Sequence, residues 1–174
     1  NATTTMHWPN ALSGAGMNLE IDLSRQKMWL LDGDARVEEF TVSTGANGPG
    51  EINGSGCTPR GWHVIRAKVG AGLGEGAVLR GRRPTGEIWT PELHTAFPGR
   101  DWILTRILWL SGTEPGQNRL GCVDTFRRYV YLHGTPPITR MGAPGSKGCV
   151  RVGNQDIIRL FDAVDVGTRV WLHE

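Results

Sequence analysis

Hydrophobic and polar positions alternate over residues 18–23, run largely apolar over 27–31, and alternate again over 36–42, where Val37, Phe40 and Val42 are apolar. Period-two alternation marks a strand with one face buried. Asp32-Gly33-Asp34, between the second and third runs, is a hairpin turn signal. The chain therefore opens as a β-meander. Residues 62–69 alternate in the same way. Residues 102–110 are apolar almost throughout, with Ile103, Ile107, Leu108, Trp109 and Leu110, which predicts a central strand buried on both faces. Shorter strands are expected at 87–90, 130–132 and 169–172. Helical spacing occurs clearly once, in Ile157, Ile158, Leu160, Phe161 and Val164, and predicts a core-packed helix over 155–164 with Asn154 as its N-cap. Asp124 is placed to cap a second, short helix through Arg128. Residues 45–56, 70–76, 80–85 and 111–116 have no periodicity and read as loops or turns. The 70–76 stretch suits a mobile rim or a plain connection equally well.

The tally predicts one mainly β domain, a sandwich or partly closed barrel with one helix against its side. Residues 1–17 read as a polar arm, ordered in part by Met6 and Trp8, and 18–174 as the domain. No internal repeat or linker interrupts it.

Composition narrows the function classes. The 174 residues are 39% hydrophobic and 21% charged, with net charge +2, too small to argue for nucleic-acid binding. Arg82-Arg83 and Arg127-Arg128 read as solvated surface pairs. No apolar run approaches the length of a membrane span. The chain begins at Asn1 and shows no signal peptide, as a processed or trimmed product would. Nucleotide-binding glycine motifs are not found. Cys57 and Cys122 are free to bridge in an oxidising compartment or to stay as thiols. His94, in what reads as a polar loop, has no metal-ligand spacing to a partner, so no metal is expected. His63, His7 and His173 read as surface or strand-face residues. Trp89, Trp102 and Trp109 suit a core better than a cleft lining.

One stretch, residues 129–152, concentrates the candidate chemistry. A strand delivers His133 into a turn at Gly134 and Thr135. A loop of Gly, Pro, Thr and Ser follows. Then Gly145-Ser146-Lys147-Gly148 brings the backbone to Cys149 with little side-chain bulk. A thiolate is a strong nucleophile, an imidazole can take its proton, and a third group must orient that imidazole. Gly148 permits close backbone approach, so amides at 148 and 149 can face a developing oxyanion. Ser146 is placed to bond the imidazole or to support the turn. Arg151, two residues on, shares a face with Cys149 if the segment is extended and is placed to hold a substrate carboxylate. Tyr131 shares a strand face with His133 and either walls the site or packs in the core. A buried structural cysteine beside an unrelated histidine satisfies the same spacing.

His133-Gly134-Thr135 followed by Ser146-Lys147-Gly148-Cys149-Val150-Arg151 resembles the H-G-T…S-x-G-C-[IV]-R signature of L,D-transpeptidase catalytic domains. Ser43-Thr44-Gly45 and Thr58-Pro59-Arg60-Gly61 resemble that family's upstream S-T-G…T-P-x-G, and 103–129 resembles the segment leading to the histidine. The likeness covers roughly residues 18–173. Lys147 stands where the family often has His, and the glycine-rich stretches at 46–56 and 70–76 are departures. The resemblance implies a twisted β-sandwich with a catalytic loop and a flanking helix. It implies peptidoglycan tetrapeptide stems as substrate, Cys149 as nucleophile, His133 as base, amides near Gly148 as oxyanion donors, and 3–3 cross-links formed with release of D-alanine. It further implies acylation by carbapenem-type β-lactams, no cofactor, a part in cell-wall biogenesis and cell shape, and a periplasmic or cell-envelope location. An acyl-enzyme resolved by water or by another amine would make a carboxypeptidase, an amidase or a protein-to-peptidoglycan ligase. A peptidoglycan-binding module without turnover is the non-enzyme alternative, and the intact Cys/His set speaks against it.

Overall fold

The three opening runs pair as the alternation predicts. In the computed structural model, which describes residues 16–174, β1 (Met17–Asp22), β2 (Lys27–Asp32) and β3 (Ala35–Ser43) form an antiparallel meander. Gly33 takes φ +59° in the hairpin between β2 and β3, a conformation glycine adopts without steric cost. Leu19, Ile21, Met28, Leu30, Phe40 and Val42 all point into the core. The arm expected over 1–17, with Met6, His7 and Trp8, lies almost wholly outside the described residues.

β4 (Gly61–Val69) and β7 (Ile103–Gly112) pair antiparallel along most of their length. That pairing closes a ring. β10 (Arg169–His173) lies between β4 and β1, parallel to β1. β3 continues through β9 (Val150–Val152) and β8 (Tyr131–Gly134) back to β7. The expected sandwich or partly closed barrel is thus a closed barrel, ordered β4-β10-β1-β2-β3-β9-β8-β7. Closure leaves no free edge along the ring. The apolar run at 103–110 explains it, because β7 is paired on both sides and buried on both faces.

α2 (Asn154–Ala163) packs Ile157, Leu160 and Phe161 onto the barrel. Its N-cap is Gly153 rather than Asn154. Asn154 is the first helical residue, and its Oδ1 accepts from Thr105 Oγ1 at 2.7 Å. At the other end Lys68 Nζ donates to the carbonyls of Phe161 and Val164 at 2.5 and 2.7 Å, satisfying acceptors that a helix terminus leaves without partners.

Three elements differ from the pattern-based reading. Residues 77–88 form a hairpin, β5 (Ala77–Arg80) and β6 (Arg83–Ile88), hung on β7. Its two-residue turn has positive φ at both Gly81 and Arg82, and arginine there hides the usual turn signature. α1 (Pro91–Ala96) replaces an expected loop, with Thr90 Oγ1 accepting from Leu93 N at 3.0 Å and Pro91 in the first turn. Asp124 does cap, accepting from Arg127 N at 3.0 Å and Leu120 N at 2.7 Å. Tyr129 at φ +56° ends that turn before a helix develops. Cys57, Cys122 and Cys149 are all free thiols.

His63 is the clearest correction to a surface reading. It is fully buried in β4, with Nδ1 3.1 Å from Gly61 O and Nε2 2.8 Å from Thr125 Oγ1. Burial pushes its pKa down to about 4. The unfolded chain therefore takes up this proton near pH 6.5, well before the folded chain does, and stability is lost as pH falls through that window. From pH 7 to 4 the loss attributable to His63 is roughly 3 kcal/mol. Denaturant melts across this range are expected to show that slope in the wild type and to lose it in His63→Gln. His173, whose Nε2 lies 2.9 Å from Glu20 Oε2 and whose pKa is raised, contributes with the opposite sign, its stabilisation fading as pH rises.

Candidate active site

β8 and β9 lie side by side in parallel, with Leu132 opposite Val150 and His133 opposite Arg151. Cys149, immediately before β9, therefore comes level with Tyr131. The Tyr131 amide donates to Cys149 Sγ at 3.3 Å. Residues two apart on a strand share a face, so the thiol and the His133 imidazole stand on one face of the same strand pair. On the other flank of β8, β7 carries a bulge between Leu104 and Ile107, opposite Gly134 and His133. Thr105 within it takes φ +73°, a strained conformation for a β-branched residue. Gly134 is required here, since a Cβ would collide with Asn154 Oδ1 and the Leu104 carbonyl.

His133 is buried, and its Nδ1 lies 2.7 Å from the Gly134 carbonyl. A carbonyl can only accept, so Nδ1 carries the proton and Nε2 is left as the basic atom. The orienting third group is thus a backbone oxygen. Cys149 Sγ accepts from Tyr131 N and donates to Tyr129 O at 3.4 Å. Burial pushes the thiol up to about 12, against the opposing pull of the Tyr131 amide, with Asp101 raising it and Arg151 and Arg128 lowering it. Burial likewise pushes His133 down, against its bond to Gly134. The resting pair is a neutral thiol and a neutral imidazole, so any attack by this sulfur would have to shed the thiol proton as it proceeds.

The turn that presents Cys149 is braced from three sides. Ser146 Oγ donates to Cys149 O at 2.5 Å and accepts from Gly148 N at 3.1 Å. Of the two roles expected for Ser146, these bonds fit support of the turn. They also engage the Gly148 amide, one of the two expected oxyanion donors. Thr58 Oγ1 donates to Gly148 O at 2.9 Å and accepts from Gly45 N at 2.8 Å. Thr44 O accepts from the amides of Gly145 and Ser146, and Gln26 fixes Thr44 through two bonds. The upstream Ser-Thr-Gly and Thr-Pro-Arg-Gly pieces are therefore brackets for the turn that presents Cys149. Gly148 itself sits at φ +122°, and a Cβ there would stand 3.0 Å from Cys57 O.

Arg151 is spoken for. Its Nη1 donates to Gly145 O at 3.1 Å and its Nη2 lies 3.6 Å from Asp101 Oδ1. Any substrate carboxylate at Arg151 would compete with Asp101. Tyr131 is both wall and core: it packs with Leu79, Ile107 and Cys149, and its hydroxyl accepts from Arg82 Nη1 at 3.0 Å. Arg82 also lies over the rings of Trp109 and Tyr129, so it is not the solvated residue its sequence context suggests. Thr135 Oγ1 shares a 2.7 Å hydrogen bond with Thr139. Beside this pair opens a cleft of about 340 Å³, lined by Arg100, Asp101, Trp102, Thr135, Lys147 and Arg151 among others. Asp101 and Gln26 were not legible as site residues, because each comes from a loop or turn distant in sequence that only barrel closure brings here, and Arg128 reads as half of a solvated pair.

Comparison with known proteins follows this geometry. Residues 17–172 match the YkuD family, the L,D-transpeptidase catalytic domain. The chain is 33% identical over 92 residues to the probable L,D-transpeptidase YbiS of Escherichia coli strain K12, covering 51% of this chain and 29% of that protein. It is 34% identical over 91 residues to the probable L,D-transpeptidase ErfK/SrfK of Salmonella typhimurium, covering 51% and 28%. The aligned stretch thus spans less than a third of either relative. Among solved structures, L,D-transpeptidase 3 from Mycobacterium tuberculosis, in complex with a faropenem-derived adduct, superposes with TM-score 0.57 at 15% identity over 92% of this chain and 61% of that one. An L,D-transpeptidase from Mycobacterium smegmatis superposes with TM-score 0.55 at 17% identity over 92% and 60%. At such identity these likenesses speak for the fold.

Proposed function

This chain belongs to the YkuD family of L,D-transpeptidase catalytic domains, and from that premise we propose that it is a cysteine transpeptidase acting on peptidoglycan tetrapeptide stems. The observation that carries the reading is the pairing of β8 with β9, which puts a thiol and an imidazole of fixed tautomer on one strand face. Residues 18–174 form the catalytic unit, acting in the cell envelope, where the substrate lies.

In this mechanism Cys149 Sγ attacks the carbonyl carbon of the third stem residue as His133 Nε2 takes the thiol proton. The oxygen gains charge, and the Cys149 amide is the donor assigned to it, since Ser146 Oγ already holds the Gly148 amide. The C–N bond to D-alanine breaks, and His133 returns the proton to the departing amine. A neighbouring stem's amine then attacks the thioester, loses its proton through Nε2, and releases the thiol with a 3–3 cross-link. No step calls for a cofactor. Lys147, Thr135 and Arg151 line the cleft that would receive the stem.

Product mass after incubation with disaccharide-tetrapeptide tests this. A dimer lacking one D-alanine, formed only while Cys149 is present, is the expected result. Tripeptide alone would reassign the enzyme to hydrolysis, and no product at all would overturn the reading. Gly148→Ala adds a geometric check. Its Cβ would press on Cys57 O at 3.0 Å in a backbone conformation that side chains rarely adopt, displacing the nucleophile turn. Acylation by a carbapenem, followed by intact mass, is expected to slow about 100-fold.

A further inference from the structure

One cation beside the nucleophile is unused by the chemistry above. Arg128 directly precedes Tyr129, whose carbonyl accepts from the Cys149 thiol. Its guanidinium is half-buried and has no carboxylate partner among the described residues. Glu51, the nearby acid, is held by Arg60 at 3.2 Å. Instead Arg128 Nη2 donates to Cys57 O at 2.6 Å and to Ser55 Oγ at 3.5 Å, and Nη1 to Gly50 O at 3.3 Å. Cys57 O is the same atom that approaches Gly148 closely enough to exclude a side chain. Guanidinium, carbonyl and Gly148 are therefore layered, next to the residue that attacks.

Tethering a loop needs only a neutral donor, and burying a cation without an anion is costly. Without the guanidinium, the Cys57 carbonyl oxygen, which lies against Gly148, would have no cation to offset its negative end. We propose that Arg128 is a positioning residue for acyl transfer, its fixed positive charge capping the Cys57 carbonyl and balancing the thiolate and then the oxyanion formed at Cys149. This rests on the acyl-transfer reading of Cys149. Arg151 also lowers the thiol's pKa, but the stronger opposing influence of Asp101 offsets it, and Cys57 and Glu51 face the Arg128 side of the layer. Arg151 from β9 is paired with Asp101 from the segment before β7. Burial pushes His133 down and Tyr131 up, so both side chains from β8 are neutral at rest. Arg82 from the β5–β6 turn is bonded to the Tyr131 hydroxyl. Burial lowers the Arg128 pKa, with Cys57, Glu51 and then Cys149 pulling it back up, and burial raises the Cys149 pKa, with Arg151 and then Arg128 among the groups pulling it down.

The test is the pH profile of Cys149 alkylation by iodoacetamide, read peptide by peptide so that Cys57 and Cys122 do not interfere. Wild type is compared with Arg128→Lys, which keeps the charge, and Arg128→Met, which removes it. Arg128→Gln is a second neutral variant, able to donate to Cys57 O, should the methionine variant fail to fold. In the neutral variants the rate at pH 7 is expected to fall about tenfold and the profile to move up by about one pH unit. The lysine variant is expected to stay within about twofold of wild type. An unshifted profile in a folded neutral variant would overturn the proposal. Equal slowing in all three would also overturn it, leaving Arg128 a loop tether. Iodoacetamide needs no transpeptidase substrate, so this result is readable even if the wild type forms no cross-link.

Discussion

Cys149→Ala is expected to form no acyl adduct with a carbapenem and no cross-linked product from disaccharide-tetrapeptide, while folding as the wild type does. The thiol lies at the end of a short strand and touches Tyr131 N and Tyr129 O. Removing sulfur deletes two weak contacts and leaves the braces of the turn, Ser146 and Thr58, in place. The cost in stability is that of a small cavity, about 1 kcal/mol or less. The cost in activity is expected to be total, since Cys149 is the group that attacks in the proposed mechanism. Intact mass spectrometry and a thermal melt check both halves. Adduct formation or turnover in the alanine variant would remove Cys149 from the nucleophile's role.

His133→Ala is expected to lower the acylation rate at pH 7 by about 100- to 10,000-fold, the span that general-base catalysis supplies. The pH dependence carries more information than the magnitude. On the proposed mechanism the imidazole accepts the thiol proton during attack, so the wild-type rate is expected to rise as the pH passes the depressed pKa of His133 and then to level off. Without the imidazole, only pre-formed thiolate reacts. Burial holds the thiol's pKa near about 12, so the variant's rate is expected to climb about tenfold per pH unit from 7 to beyond 10. A plateau at neutral pH in His133→Ala would show that another group takes the proton. Rates of single-turnover acylation between pH 5 and 10 decide it.

Much of this arrangement is legible in the sequence because it is local. Period-two alternation in 18–23, 36–42 and 62–69 is a direct record of one-sided burial, and the strands stand where the pattern puts them. The tight backbone at Gly148 is legible too, since its positive φ and its lack of room have a signature in one residue type. What did not read is what closure creates. Asp101 sits in a glycine-proline loop with no periodicity, yet it pairs with Arg151. Arg128 looks like half of a surface Arg-Arg pair, yet it is held by carbonyls from residues 50–57. His63 lies in an alternating strand whose pattern marks two faces but does not say that Thr125, from the turn before β8, closes over its imidazole. The helix at Pro91–Ala96 was readable from Thr90 and Pro91, but six residues are too few for periodicity to announce it.

The place of β10 has a bearing on how the protein reaches its native state. The last strand in sequence, Arg169–His173, is seated between β1 and β4, which belong to the first part of the chain. Neither early strand has its full set of partners until β10 arrives, and its pairing with β1 is parallel, the kind that cannot form as a local hairpin. The search for this contact spans about 150 residues, so the loop-closure entropy is spent before the ring rewards it. Folding is therefore expected in the slow, millisecond-to-second range of non-local β topologies. Assembly of the nucleophile turn, whose brackets Thr44 and Thr58 lie on either side of that junction, belongs to the late events.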